Sequence, residues 1–162
     1  MIILVDLDGT ICDCEHRAHF INKYENDTPM EAWEEFHNRE LMLKDLPIER
    51  SLEVLTILHN KGAEIIYLTA RMCKTMMGGE DIEAASREWL NLHGYPDVEL
   101  RMRPYEVRGK SLDVKRDLTR DLHGRTDVMV IDDKLSIHEL ALENNWIWCK
   151  APECWETLEK FI

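Results

Sequence analysis

Short apolar runs alternate along this chain with stretches of helical periodicity. Five short runs, at 2–5, 64–68, 98–102, 128–131 and 146–149, are rich in apolar residues. Such runs fit strands of a parallel sheet covered on both sides. Between them the period changes. Over 48–60, Leu52, Leu55 and Leu58 recur at helical spacing and the pattern stops at Gly62. Over 81–93, Ile82, Ala85, Trp89 and Leu92 share one face, and Gly94 stands where a left-handed C-terminal cap belongs. Further helices are expected at 111–122 and 135–143.

Strand alternating with helix predicts an α/β domain, a doubly wound Rossmann-like parallel sheet of about five strands, with residues 1–162 forming one domain. Sheets of this class bind ligands outside the carboxyl ends of their strands. Residues 11–47 interrupt the alternation. They carry the stretch MEAWEEFHNREL, with Trp33, Phe36 and Leu41 as its apolar residues. This segment is expected to form a small helical cap insertion over the strand ends.

Composition narrows the class. A chain of 162 residues with 44% hydrophobic content can bury one core, and it lacks the bias of a disordered segment. The first apolar run ends at Asp6, too soon for a signal peptide or a membrane span, so a cytoplasmic protein without a membrane partner is expected. Five cysteines without CxxC spacing suit reduced thiols rather than a disulfide framework or zinc site. A net charge of −12 disfavours extended duplex binding. The charge is uneven: 101–116 carries Arg101, Arg103, Arg108, Lys110, Lys115 and Arg116 against Glu106 and Asp113, an excess suited to holding phosphate. Nothing in the sequence sets an oligomeric state.

Chemistry concentrates where the apolar runs stop. The first ends in Asp6-Leu7-Asp8-Gly9-Thr10. Two carboxylates in that arrangement can divide phosphoryl transfer, one attacking phosphorus and the other protonating the leaving oxygen, while Gly9 permits a tight turn and Thr10 adds a hydroxyl. The second ends in Thr69-Ala70-Arg71 and the fourth in Asp132-Asp133. Thr69 can donate to phosphoryl oxygens. Asp6, Asp132 and Asp133 offer the carboxylate oxygens a hard cation requires, which points to Mg²⁺. Of the two lysines in RGKSLDVKR, Lys115 lies one turn inside the expected helix, where a rigid element can aim it, whereas Lys110 lies on the loop before it. Gly109-Lys110-Ser111 mimics the end of a nucleotide-binding P-loop, but Pro104 stands where that motif needs its first glycine.

These residues resemble the haloacid dehalogenase superfamily of aspartate-nucleophile phosphatases, whose four motifs correspond in order to DLDGT, Thr69, a helix lysine and the DD pair. The resemblance implies a strand order of 3-2-1-4-5, with the Asp6 and Asp132 strands adjacent. It implies Asp6 as nucleophile and metal ligand, Asp8 as general acid/base and ligand through its carbonyl, Thr69 as phosphate donor, and Lys115 as the cation that neutralises Asp6 and the phosphoryl oxygens.

Within the superfamily the chain is most similar to the 3′-phosphatase domain of bacteriophage-type polynucleotide kinase-phosphatases, through Arg17 after Asp6, the T-A-R triplet and Asp-Val-Lys before the DD strand. Where that subgroup has an aspartate four residues before the lysine, this chain has Ser111. That likeness implies that Arg17 and Arg71 bind substrate phosphate beside Gly9 and Thr10, and that the substrate is a phosphorylated nucleotide or a nucleic-acid 3′ end. The bland alternative makes both arginines surface residues paired with acids such as Asp13 or Glu15. A 5′-nucleotidase or metabolite phosphatase is the nearest competing function. A dehalogenase would have little use for Asp8, and a mutase would need a larger cap. His16 and His19 fit exposed helix positions, whereas Trp33 and Phe36 are placed to stack a base from the insertion.

Overall fold

The computed structural model describes residues 1–24, 28–75 and 79–159. From the amino terminus the chain forms β1 (Ile2–Val5), β2 (Cys12–Asp13), the short helices α1 (Glu15–Ala18), α2 (Met30–Phe36) and α3 (Arg39–Met42), then β3 (Leu46–Pro47) and α4 (Ser51–Asn60). It continues through β4 (Glu64–Met72), α5 (Ile82–Leu92), β5 (Glu99–Arg103), α6 (Ser111–Leu118), a 3₁₀ turn at Arg120–Leu122, β6 (Val128–Asp132), α7 (Ile137–Asn144), β7 (Ile147–Lys150) and α8 (Cys154–Glu159).

The main sheet is parallel throughout, in the order β5-β4-β1-β6-β7, which is the expected 3-2-1-4-5 arrangement of the five long runs. β1 lies at its centre, with Val5 between Tyr67 of β4 and Ile131 of β6. Winding reverses between β1 and β6, so the loops that follow these strands splay apart and leave a crevice at their carboxyl ends. Because successive side chains of a strand point to opposite faces, Ile3 and Val5 enter one core with Leu55, Trp89 and Trp155, while Ile2 and Leu4 enter the other with Val130, Ile137 and Leu140. Among the described residues no helix is long and apolar enough to cross a membrane.

Differences from the sequence pattern fall where tertiary contacts override it. β4 runs on to Met72, past the apolar run, through a register shift against β5 between Thr69 and Met72. The single helix expected at 30–41 is two. α2 stops at His37, and Asn38 starts α3 with its side chain accepting from Leu41 N at 3.3 Å. The base of the insertion is closed by β2 and β3, an antiparallel pair too short to show a period-2 signal. The terminal α8 follows no extended periodic pattern, yet its Trp155 is fully buried.

Candidate active site

Asp6 follows the last residue of β1, and its backbone N–H still donates to Ile131 O at 3.0 Å, so the carboxylate leaves the sheet at a fixed position. The chain then turns at Gly9, whose φ of 75° favours glycine. A side chain there would also collide: a Cβ would stand 2.8 Å from Asp133 Oδ2. Thr10 is fully buried and does not line the site. Its Oγ1 accepts from Asp133 N at 3.1 Å, and its carbonyl accepts from Trp155 Nε1 at 2.9 Å. Expected to meet substrate, Thr10 in this geometry instead ties the loop after β1 to the loop after β6.

Lys115 connects the two acidic strand ends. From α6 its buried Nζ reaches Asp6 Oδ1 at 2.7 Å and Asp132 Oδ2 at 2.6 Å. Burial opposes its charge, but Asp6 and Asp132 overcome that and hold the ammonium above an ordinary lysine. Lys110, the competing lysine, precedes the first residue of α6 and lines the cavity without reaching the acidic pair. Asp6 itself is pushed up to about 7, first by burial and then by Asp132, with Lys115 opposing both. Asp133 is also raised, by burial and by Asp132.

Asp6, Asp132 and Asp133 bring carboxylate oxygens within 4.8 Å of one another. Asp133 Oδ1 is buried without a hydrogen-bond partner. An all-oxygen set of three acids with an unused buried oxygen can hold a hard divalent cation. The Asp8 side chain is outside this group, which leaves only its backbone carbonyl for the ligand role the sequence resemblance implied.

Asp8 points the other way, into arginines. Arg71 grips it with Nε at 2.8 Å from Oδ2 and Nη2 at 2.6 Å from Oδ1, and Arg17 Nη2 lies 2.5 Å from Oδ1. Burial works to raise the Asp8 pKa, but Arg71 and Arg17 overrule it and keep the carboxyl well below the usual range. The other Arg71 donors go to Ser86 Oγ at 3.0 Å and Cys12 Sγ at 3.2 Å. Arg17 uses its remaining donors on buried Asp45 and on Phe36 O at 2.8 Å. Neither arginine is on the surface, and neither pairs with Asp13 or Glu15. Arg71 lines the cavity. Arg17 is fully buried and does not.

A cavity of about 710 Å³ opens above these groups. Asp6, Thr69, Lys115 and Asp133 line it, together with Ile21, Trp33, Phe36 and His37 of the insertion and Arg103, Arg108, Gly109 and Lys110 from the end of β5 and the loop after it. Thr69 is buried, and its Oγ1 accepts from Arg71 N at 3.2 Å. Of the two aromatics placed to stack a base, Phe36 is buried with the Arg17 guanidinium 4.1 Å over its ring. Trp33 is half-buried and stacks on His37.

Asp45 and His37 were not singled out from the sequence. Asp45 is buried between His16, which it meets at 2.9 Å, and Arg17. His37 is buried, its Nδ1 has no partner, and burial pulls its pKa down to about 3. Neither residue belongs to a local pattern. Both acquire significance only from neighbours distant in sequence.

No family model matches the chain, and no curated protein matches it. Solved structures do. It superposes on a chain of the Pnkp1/Rnl/Hen1 RNA repair complex with a TM-score of 0.66 and 18% identity, over 93% of its own length and 41% of that chain, so it spans less than half of this neighbour. A predicted phosphatase from Clostridium acetobutylicum gives a TM-score of 0.57 and 18% identity, covering 92% of this chain and 83% of that one. A haloacid dehalogenase-like hydrolase from Streptococcus pneumoniae gives 0.63 and 13%, covering 92% and 83%. At these identities the likeness is one of fold, the doubly wound α/β sheet that this chain shares with these structures.

Proposed function

We propose that the protein is a Mg²⁺-dependent phosphomonoester hydrolase working through an aspartyl-phosphate on Asp6, with a nucleotide or a polynucleotide 3′ end as its substrate. The observation that carries this reading is the convergence on one cavity of Asp6, its buried partner Lys115 and the Thr69 hydroxyl, beside Asp8 held in a separate cationic setting. In the first half-reaction an Asp6 oxygen forms a bond to phosphorus and the ester P–O bond breaks, with Asp8 giving a proton to the leaving alkoxide. Lys115 and Thr69 stabilise the transferring oxygens. In the second, Asp8 takes a proton from water as the water oxygen attacks phosphorus, which releases phosphate and restores Asp6.

Mg²⁺ held by Asp6, Asp132, Asp133 and the Asp8 carbonyl would supply charge neutralisation for the phosphoryl oxygens. Arg17 and Arg71 orient the Asp8 carboxylate. Arg71 also lines the cavity, so a substrate anion bound beside it would weaken its hold on Asp8 and make that carboxyl easier to protonate. The polynucleotide part of the reading is supported by the T-A-R triplet with Arg17 and by the RNA repair neighbour. The net charge of −12 favours a small nucleotide over a long duplex.

The test is an assay of mononucleotides, 3′-phosphorylated oligonucleotides and sugar phosphates with and without Mg²⁺, together with trapping of labelled phosphate on the protein. Transfer of label to wild type but not to Asp6→Asn supports the mechanism. Full turnover in EDTA, or by Asp6→Asn, removes it.

A further inference from the structure

The basic residues of 101–116 divide into two groups in space. Arg101 pairs with Glu99 and Asp121, both at 2.7 Å, and Arg116 with Asp113 at 3.0 Å and Glu143 at 2.8 Å. Lys115 belongs to the catalytic group. The remaining three, Arg103, Arg108 and Lys110, all line the cavity above Asp6.

Arg103 is the last residue of β5, and its carbonyl accepts from Cys73 N at 3.0 Å, so its backbone is fixed by the sheet. Its Nε is buried without a hydrogen-bond partner. Burial lowers its proton affinity, and the Arg108 guanidinium lowers it further. Neither Arg103 nor Lys110 forms an ion pair among the described residues. Gly109, at a φ of 133°, turns the chain so that Lys110 and Ser111 at the start of α6 also reach the cavity wall, and no side chain caps that helix. Arg103 thus brings an unused buried guanidinium N–H, and Lys110 an ammonium, to one cavity, and a bound anion can accept from both.

We propose that Arg103, Arg108 and Lys110 form a second anion subsite, which takes a phosphate carried by the same substrate molecule as the phosphate that reacts at Asp6. The inference rests on the hydrolase reading for the position of the reacting group. It narrows the substrate to a compound that carries a second phosphate besides the one that reacts. That second phosphate is either the distal ester of a nucleoside bisphosphate or the internucleotide diester next to a terminal phosphate.

The experiment compares nucleoside 3′-monophosphate, nucleoside 3′,5′-bisphosphate and a dinucleotide bearing a 3′-phosphate. Their binding to the full chain with Asp6→Asn in Mg²⁺ is measured by calorimetry, and their turnover by wild type is measured in parallel. At least one of the two-phosphate ligands is expected to bind about tenfold more tightly than the monophosphate. Arg103→Gln or Lys110→Gln, added singly, is expected to remove most of that advantage while leaving monophosphate affinity within about twofold. Lys110 is exposed on the loop, so its variant tests the subsite even if Arg103→Gln disturbs the end of β5. A gain confined to the dinucleotide assigns the second phosphate to a diester, and one confined to the bisphosphate assigns it to a free ester. Equal affinity for all three ligands, or an advantage that survives both substitutions, overturns the subsite. Binding that depends on Arg103 without turnover of any ligand retains the subsite and overturns the hydrolase reading. Turnover of all three with equal kcat/KM in wild type and both variants does the reverse.

Discussion

Asp6 and Asp8 are two residues apart, yet they occupy opposite electrostatic settings. Around Asp6 stand the carboxylates of Asp132 and Asp133, and burial and Asp132 push its pKa up to about 7 against the opposing charges of Lys115 and Lys134. Around Asp8 two guanidinium groups converge on one carboxylate and hold it well below the usual range despite burial. A side chain of one type thus acquires two different proton affinities from its neighbours. The Asp6 region carries surplus negative charge suited to a cation, whereas the Asp8 region is neutralised within the protein.

The sharpest way to break this comparison is to remove one carboxylate at a time. Asp6→Asn is expected to lower kcat by about 10⁴-fold or more with circular dichroism unchanged, since the amide keeps the shape but cannot carry the phosphoryl group. A kcat within tenfold of wild type would end its role as nucleophile. Asp8→Asn is expected to cost about 10²–10⁴-fold with alkyl phosphates and much less with nitrophenyl phosphate, whose leaving group needs little protonation. Equal losses on both substrates would remove the acid role.

Two further changes sharpen it through stability. Arg17→Ala leaves Asp45 buried without its main cation and Asp8 with one arginine fewer. A loss of about 3–5 kcal/mol in urea unfolding is expected, together with a fall in kcat that does not depend on the size of the substrate. An effect on KM alone, largest for nucleotides, would instead mean that the arginine contacts substrate directly.

The smallest effect concerns His37. Its folded pKa, depressed by burial to about 3, lies below the unfolded value of about 6.5, so across that window the unfolded chain binds a proton that the folded chain does not. Stability is therefore complete above about pH 6.5 and falls as pH decreases toward 3, by at most about 1.4 kcal/mol per pH unit from this residue. His37→Gln is expected to flatten that part of the pH–stability curve. An unchanged slope would show that His37 is protonated in the folded protein.

The sequence by itself determined the alternation of strands and helices, because core burial on both faces of a parallel sheet leaves a local trace in runs such as 2–5 and 128–131. It also determined that Asp6 and Asp132 stand at strand ends, since each is the polar residue that stops an apolar run, whereas β4 continues past Thr69 to Met72. Only the tertiary structure decided what their neighbours do. Thr10 braces Asp133 across 123 residues, and Arg71 reaches Asp8 across 63. Asp45 closes on Arg17 across 28 residues, and the basic stretch 101–116 divides between surface pairs and the cavity wall. Periodicity records which face of an element is buried, but the partner of a buried charge is set by how elements distant in sequence pack together, and no local pattern carries that information.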